Sequence, residues 1–368
     1  MSLDDGDSLR GSDKFAFFRG LNTDLSSGRR DVPINDLVEY LNDPLILPNV
    51  GGDAPSDAEY SSSWNGSADS ATKNALYAKF ESMASSQSGY TSGGFTVGQV
   101  NIIDKFDFGT AGNASDFGDL TGAVRASAGQ SSSTDGYGSG LYLGTYVNVI
   151  DKFSFGAPNN ATDFGDLTVA RYNAAGQSSS TDGYTSGGNS GAQSNVIDKF
   201  SFGTATDATD FGDLTVARSA TAGQSSSTDG YTCGGTNGAA AVNVIDEFAF
   251  GTANNATDFG DLTVSRYSAT GQSSSTDGYT SGGFTTVVVN VIDEFAFGTA
   301  NNATDFGDLT ASRHSLAGQS SVTDGYSSGG TTGTSSNVID EFAFGTATNA
   351  SDFGDLTAAR YWCCGNQG

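Results

Sequence analysis

The stretch "ATDFGDLTVAR" at residues 161–171 decides the fold, because the chain returns to it five more times. It recurs unchanged at residues 208–218. Copies with one or two changes follow at 256–266, 303–313 and 350–360, and a looser copy precedes at 114–125. A segment written six times is typical of an architectural repeat and not of a catalytic site.

The Asp of the run N-[VI]-I-D measures the period of this repeat. It falls in steps of 47, 47, 48, 47 and 47 residues, at Asp104, Asp151, Asp198, Asp246, Asp293 and Asp340. Each unit is read as four strands, namely "AAGQSSS", "YTSGG", "NVIDKFSF" and a short strand around "DFGDL". Gly, Asp and Thr between them suit turns. A period of about 40 to 50 residues with four strands predicts the blades of a β-propeller.

The two ends of the repeat region complement each other. The last copy, "RYWCCGNQG", stops inside a first strand, and the first copy resumes at about Ser85 with "SSQSGYTSGG". A C-terminal strand completing the first blade would close a ring. Six blades are indicated by six equivalent tyrosines: Tyr90, Tyr137, Tyr184, Tyr231, Tyr279 and Tyr326. The sequence therefore predicts an all-β, six-bladed propeller over residues 83–368.

The repeat resembles that of kelch propellers. The matching positions are a Gly pair, two aromatic residues, a Leu and an Arg, here Gly187, Gly188, Phe200, Phe211, Leu214 and Arg218. Phe211 departs from the Trp usual there, and Arg125 of the first copy lies one residue later than its equivalents. The resemblance implies a kelch-like propeller.

Residues 1–82 do not repeat. "DVPINDLVEYLNDP" and "SATKNALYAKFESM" predict short helices, and the second has an apolar stripe of Leu76, Phe80 and Met83 that needs a partner. That partner could be the propeller or further copies of the same segment.

The stretch "SSSWNGSADSATKNALYAKFESM" resembles a linker motif of bacteriophage tail-fibre proteins. The residues that carry the match are Trp64, Gly66, Thr72, Asn74, Ala75 and Tyr77. The repeat is similar to repeats in structural proteins of marine bacteriophages. Together they imply a tail-fibre or spike-like structural protein on the exterior of the virion. Residues 1–82 would bind other virion proteins, and the chain would form a homo-oligomer, a trimer as in many fibres. A capsid decoration protein and a cellular or secreted kelch-type module that binds protein or glycan remain alternatives.

The composition excludes several other classes. The formal charge is −26, from 42 acidic and 16 basic residues, which disfavours nucleic acid and anionic membranes as partners. No run of 18 apolar residues suggests a membrane span, and the start "MSLDDGDSLRG" predicts no signal peptide. Three cysteines form no disulfide framework; Cys233 stands where sister copies have Ser. We expect all three to be small buried side chains.

No constellation in the sequence points to catalysis, so we predict no enzyme activity, no cofactor and no bound metal. His314 is the only histidine, which excludes a catalytic triad and the copper oxidase site that some kelch propellers carry. The run "DATDFGD" places Asp207, Asp210 and Asp213 close together, where oxygen atoms could bind calcium. Turn capping is the simpler reading, because most copies have Asn at the first position.

The repeated Asp and Arg are predicted to be structural. The Asp shares a strand face with buried Phe and needs a partner, and a guanidinium fits a carboxylate. The candidate residues include Asp198, Arg218, Asp246 and Arg266, with Arg125 as the first-copy member.

Internal variation collects in two sets of loops, which an up-and-down blade places on one face. The loops between the second and third strands differ freely, from "FTVGQV" to "LYLGTYV" and "NSGAQS", and so do the residues that follow the Arg. Four aromatic residues in these loops are candidate anchors for a host-surface glycan or protein: Phe95, Tyr142, Tyr146 and Phe284.

Overall fold

The computed structural model describes residues 87–368. In this part, 24 strands form six antiparallel sheets of four strands each, so the predicted six-bladed propeller is confirmed. The attachment segment predicted at residues 1–82, with its two helices, lies outside the described residues.

Each blade runs from an innermost strand near the axis to an outermost strand. The first blade contains β1 (Ser88–Ser92), β2 (Val100–Asp107) and β3 (Ser115–Val124). The second contains β4 (Ala128–Ser131), β5 (Asp135–Tyr142), β6 (Tyr146–Ser154) and β7 (Thr162–Asp166). The third contains β8 (Ala175–Ser178), β9 (Asp182–Ser186), β10 (Val196–Ser201) and β11 (Thr209–Asp213).

The remaining blades follow the same order. The fourth contains β12 (Ala222–Ser225), β13 (Asp229–Cys233), β14 (Val244–Ala249) and β15 (Thr257–Asp261). The fifth contains β16 (Thr270–Ser273), β17 (Asp277–Ser281), β18 (Val291–Ala296) and β19 (Thr304–Asp308). The sixth contains β20 (Ala317–Ser320), β21 (Asp324–Ser328), β22 (Val338–Ala343) and β23 (Ser351–Asp355).

The last strand, β24 (Cys364–Gln367), closes the ring. It pairs antiparallel with β1 of the first blade, with Cys364 opposite Ser92 and Gln367 opposite Gly89. The first blade thus receives its innermost strand from the C-terminal end, as the complementary partial repeats predict.

Glycine allows the innermost strands to meet around the axis. A Cβ added to Gly176 would lie 2.1 Å from the carbonyl oxygen of Gly129 in the preceding blade. Such a contact excludes any side chain. The same contact recurs between all neighbours in a closed ring of Gly129, Gly176, Gly223, Gly271, Gly318 and Gly365.

Aromatic stacking joins each blade to the next. Tyr184 is buried and stacks on Phe250 of the following blade, with ring centroids 4.7 Å apart. It also meets Phe211 edge-on at 5.1 Å. Phe211 is the extra residue of a β-bulge in β11, since Gly212 pairs with Ile197 and Asp210 with Asp198. The same stacking recurs at the five other blade junctions, ending with Tyr326 on Phe108. Both faces of every blade are therefore buried, which raises the pKa of the core tyrosine Tyr137 to about 12.

Buried amides form a second ring near the axis. Nε2 of Gln177 donates to the Tyr231 carbonyl oxygen of the next blade at 2.9 Å and to Ser186 Oγ at 2.9 Å. Cys233 takes the place of that Ser in its own blade and donates to Gln224 Oε1 at 3.0 Å. All three cysteines are free and buried, and burial raises the pKa of the Cys233 thiol to about 12.

Candidate binding face

The variable loops lie together on one face of the propeller. In every blade, the residue after the repeated Arg position forms a β-bridge with the hairpin loop of the next blade. The six bridges are Arg125–Tyr142, Tyr172–Asn189, Ser219–Thr236, Tyr267–Phe284, His314–Thr331 and Tyr361–Phe95. We call this surface the variable face.

The variable face has two parts. The first is the set of hairpin loops, with the adjoining strand ends in the second blade, at residues 93–99, 140–146, 187–195, 234–243, 282–290 and 329–337. The second is the set of connections between blades, with the end of β3 in the first blade, at residues 121–127, 167–174, 214–221, 262–269, 309–316 and 356–363.

Exposed apolar side chains concentrate on the variable face. Residues 87–368 contain eight exposed large hydrophobic side chains, and seven of them lie there: Val97, Leu143, Tyr146, Val169, Val216, Val264 and Val287. The eighth, Val322, lies in a turn of the opposite face. The apolar surface that solvent reaches is therefore polarised toward one side of the molecule.

The variable face also lacks carboxylates. Although the chain has 42 acidic residues, neither its hairpin loops nor its connections contain Asp or Glu. In residues 87–368 the acidic residues lie within strands, apart from Asp207 in a turn of the opposite face. The face with the most exposed apolar side chains thus has no carboxylate in its loops or connections, whereas the strands carry the negative charge.

An aromatic cluster surrounds Arg125 on this face. The guanidinium carbon lies 4.5 Å from the ring centroid of Trp362, 4.8 Å from that of Tyr142 and 5.1 Å from that of Phe95. These distances are within the range of cation–π attraction. Beside them, the rings of Tyr146 and Tyr172 stack at 5.3 Å with an interplanar angle of 6°. With Tyr361, which lies against Trp362, these residues form what we call the Arg125 cluster.

The predicted anchors differ in exposure. Tyr146 is exposed at 37%, whereas Phe95, Tyr142 and Phe284 are half-buried. Phe284 lies apart from the Arg125 cluster and contacts Tyr267 at 5.4 Å and His314 at 5.7 Å. Burial lowers the pKa of His314, which favours the neutral imidazole.

The sequence placed Tyr172, Tyr361 and Trp362 in the variable stretches of this face but did not identify them as anchors, and it assigned Arg125 a structural role instead. They occupy the connections, where the variation between copies was visible but no residue had been selected. Their alignment with the hairpin aromatics depends on the β-bridges between neighbouring blades, which connect residues far apart in sequence.

The repeated Asp and Arg form buried ion pairs between consecutive copies. Arg171 reaches Asp198 at 3.2 Å, and the backbone N–H and hydroxyl of Thr168 also donate to that carboxylate. The structure joins Arg218 to Asp246 at 3.0 Å and Arg266 to Asp293 at 3.0 Å. Arg313–Asp340 and Arg360–Asp104 complete a set of five.

The expected sixth pair is absent from the described residues, and Arg125 was wrongly counted as its member. In register with Arg171, the first copy has Val124, which is fully buried. Leu141 stands where other blades have the second Gly of the pair, and it packs in the same core cluster as Val124. The two apolar side chains fill the space of the missing Arg. Arg125 therefore occupies the next position, on the variable face.

Asp151 is the repeated Asp of the second blade, and it remains although the Arg that would pair with it is replaced by Val124. It is fully buried and accepts hydrogen bonds only from the backbone N–H and hydroxyl of Thr121 among residues 87–368. Burial raises the pKa of its carboxyl above the usual range.

The Asp-rich turns act as links between blades. Oδ1 of Asp207 accepts the backbone N–H of Asp166 at 3.1 Å, and Asn255 does the same for Asp213. Asn and Asp are interchangeable in this role because each offers one oxygen. Residues 87–368 contain no group of three or more His, Cys, Asp or Glu side chains placed to hold a metal ion.

A small cavity of about 60 Å³ opens at the axis beside the connections. Its rim includes six residues with left-handed backbone: Ala126, Asn173, Ala220, Ser268, Ser315 and Trp362. The N–H of each donates to the carbonyl oxygen of the equivalent residue in the preceding blade, at 2.7–2.9 Å, around a closed ring. Trp362 is the only large side chain at these six positions, so it places the Arg125 cluster at the edge of the axial opening.

Comparison with known proteins adds no assignment. No helix within residues 87–368 has the length and apolar character to cross a membrane. Neither a protein-family model nor a curated protein matches this chain.

Proposed function

We propose that the protein is a binding module on the exterior of a bacteriophage particle, a kelch-like propeller whose variable face contacts the host surface. The observation that carries the proposal is the concentration of exposed apolar side chains on a face without carboxylates. Residues 1–82 would attach the propeller to other virion proteins. The activity is recognition and not catalysis.

Apolar side chains that stay in contact with water raise the free energy of an uncovered face. Seven exposed large hydrophobic side chains lie on one side of the molecule. Covering them with a partner would lower the free energy, which supports a role for this face as a contact surface. Variable loops on a rigid scaffold change specificity without changing the fold. The ring of glycines and stacked aromatics provides that scaffold.

The virion location rests on the resemblance of residues 61–83 and of the repeat to phage structural proteins. Mass spectrometry of purified particles tests it directly: peptides of this chain in particles support the proposal. Their absence, with the protein found free in infected cultures or secreted by cells, would favour a cellular or secreted binding module. Cryo-electron microscopy of the particle would separate a tail position from a capsid position.

The binding role is tested with loop-tip variants in assembled particles. Val97→Ser, Leu143→Ser, Tyr146→Ser and Val287→Ser together remove exposed apolar surface and leave the half-buried aromatics in place. Val322→Ser on the opposite face is the control. We expect adsorption to host cells to fall at least about tenfold for the quadruple variant only, since a few central apolar residues dominate most interfaces. Equal adsorption of both variants, with unchanged melting temperatures, would contradict the proposal.

A further inference from the structure

Arg125 stands out among the basic side chains of residues 87–368. The structure describes nine Lys and Arg side chains, and eight of them form ion pairs with Asp. Arg125 is the ninth: its guanidinium contacts aromatic rings and forms no ion pair with any described residue. A guanidinium presents five N–H donors in a planar fork that fits carboxylate or sulfate oxygens.

Two substitutions, one in each of the first two blades, explain why this guanidinium has no carboxylate partner. Val124 of the first blade stands where other copies have the paired Arg, Leu141 of the second blade stands where others have Gly, and Arg125, one residue further along, lies on the variable face. The rings of Phe95, Tyr142 and Trp362 hold it there by cation–π attraction. The position of the guanidinium is thus fixed before any ligand arrives.

The rings beside Arg125 have polar tips. Tyr146 and Tyr172 present two stacked rings, and burial with neighbouring tyrosines raises the pKa of Tyr172, so its hydroxyl stays protonated. Rings of this kind offer an apolar surface for the C–H groups of a sugar and hydroxyls for its oxygen atoms. Gln99 ties the first two blades together here, since its Nε2 donates to the Tyr142 carbonyl oxygen at 3.0 Å.

We propose that the Arg125 cluster binds an acidic saccharide, with a carboxylate or sulfate on Arg125 and a pyranose ring against Tyr146 and Tyr172. This inference rests on the proposed function and names the ligand class of the same face. Charge favours this location for an anion, because the face has no carboxylate in its loops or connections. The remaining negative charge is screened beyond a Debye length of about 8 Å at physiological salt.

The experiment measures binding of three defined probes to the full-length protein by calorimetry. They are hexagalacturonate with carboxylates, sulfated maltohexaose with sulfate esters, and neutral maltohexaose. The variants are Arg125→Gln and Lys199→Gln, which each remove one positive charge; Lys199 lies in a strand of the third blade and is paired with Asp182. Tyr146→Ser tests the stacking ring. Circular dichroism and melting temperature show that each variant folds.

We expect one or both anionic probes to bind more tightly than maltohexaose. Arg125→Gln should weaken that binding at least about tenfold, as expected for the loss of a charged hydrogen bond, and Lys199→Gln should leave it unchanged. Tyr146→Ser should weaken binding of the same probe. Preference for hexagalacturonate identifies a carboxylate, and preference for sulfated maltohexaose identifies a sulfate.

Three results would overturn the inference: equal binding of neutral and anionic probes, unchanged binding by Arg125→Gln, or no binding of any probe at roughly millimolar concentration. None of these depends on particle adsorption. If the loop-tip variants still lose adsorption while no saccharide binds, the proposed function stands and the face is assigned to a protein partner.

Discussion

At the scale of single residues, substitution of the two kinds of buried Asp should change the free energy of unfolding in opposite directions. Asp198 is paired with Arg171, whereas Asp151 is buried without a cation among the described residues. We expect Asp198→Asn to lower the free energy of unfolding by ~3–5 kcal/mol, because it leaves the Arg171 guanidinium buried and uncompensated. Asp151→Asn should raise it, since an Asn oxygen still accepts the Thr121 N–H and no charge is buried. Urea unfolding at pH 7 measures both.

The effect of pH on the stability of the Asp151→Asn variant provides an independent check of this prediction. The pKa of Asp151 is raised in the folded state, so its protonated form is favoured by folding. The stability that this group contributes is present below its unfolded pKa, about 3.9, and is lost as pH rises through the folded value. The advantage of Asp151→Asn over wild type should therefore grow from pH 4 toward pH 7. An advantage that is constant with pH, or a loss as large as that of Asp198→Asn, would contradict this account.

The sequence predicted the Asp and Arg of most copies but failed at the first copy for an identifiable reason. Counting six Arg suggested six pairs, although Arg125 is one residue out of register with Arg171. The distinction depends on Val124 and Leu141 sharing one cavity, and these residues come from different blades. Packing of that kind is not visible in one repeat read by itself.

At the scale of the strand, the ring of glycines predicts a sharp steric effect. Gly176→Ala places a methyl group 2.1 Å from the Gly129 carbonyl oxygen, so the neighbouring strands must separate. We expect a loss of about 1–3 kcal/mol or more in the free energy of unfolding. Gly251→Ala is the matched control, because nothing lies within 4 Å of its added Cβ, and it should stay within about 0.5 kcal/mol of wild type. Similar losses in both variants would mean that the inner contacts are looser than described.

The closing strand β24 predicts an effect of truncation. Removing residues 360–368 deletes the partner of β1, the Arg360–Asp104 pair and the Asn366 amide that bonds to Tyr137. We expect the melting temperature to fall by more than about 10 °C, which corresponds to a loss of roughly 3–5 kcal/mol in a protein of this size. A synthetic peptide of residues 360–368 should restore part of it, and a scrambled peptide should not. An unchanged melting temperature would contradict closure by this strand.

The strands were largely predictable because six copies show the same pattern, which a single copy would leave ambiguous. The alternation in "NVIDKFSF" and the fixed Gly positions recur six times, so the strand order followed from one unit. The bulge at Phe211 was not foreseen, since it appears only in the register between β10 and β11. The longer hairpin of the second blade, in which Tyr142 pairs with Tyr146, also depends on cross-strand contacts.

For the whole molecule, the sequence predicted the ring of blades and the position of the variable face, but not which side chains come together on that face. The period and the complementary ends predicted six blades, and the loop variation predicted which face would differ between copies. The sequence did not predict that the Arg125 cluster forms. Its members lie in the hairpins of two blades and in three of the connections between blades, and these segments are far apart in the chain. Only the closed ring brings residue 95 beside residue 362.

The last prediction concerns the assembly of the full chain. The stripe of Leu76, Phe80 and Met83 belongs to a helix predicted from sequence, and an apolar stripe on a single helix is stable in water only when a partner covers it. We expect the full-length protein to be an oligomer, a trimer by analogy with phage fibres, and a version lacking residues 1–83 to be a monomer. Light scattering at micromolar concentration measures both masses. Leu76→Ser with Phe80→Ser in the full chain is the decisive variant: it removes the stripe without shortening the protein, so a return to monomer assigns self-association to the helix. Monomers from every form would rule out assembly through this segment, and oligomers from every form would move the interface onto the propeller.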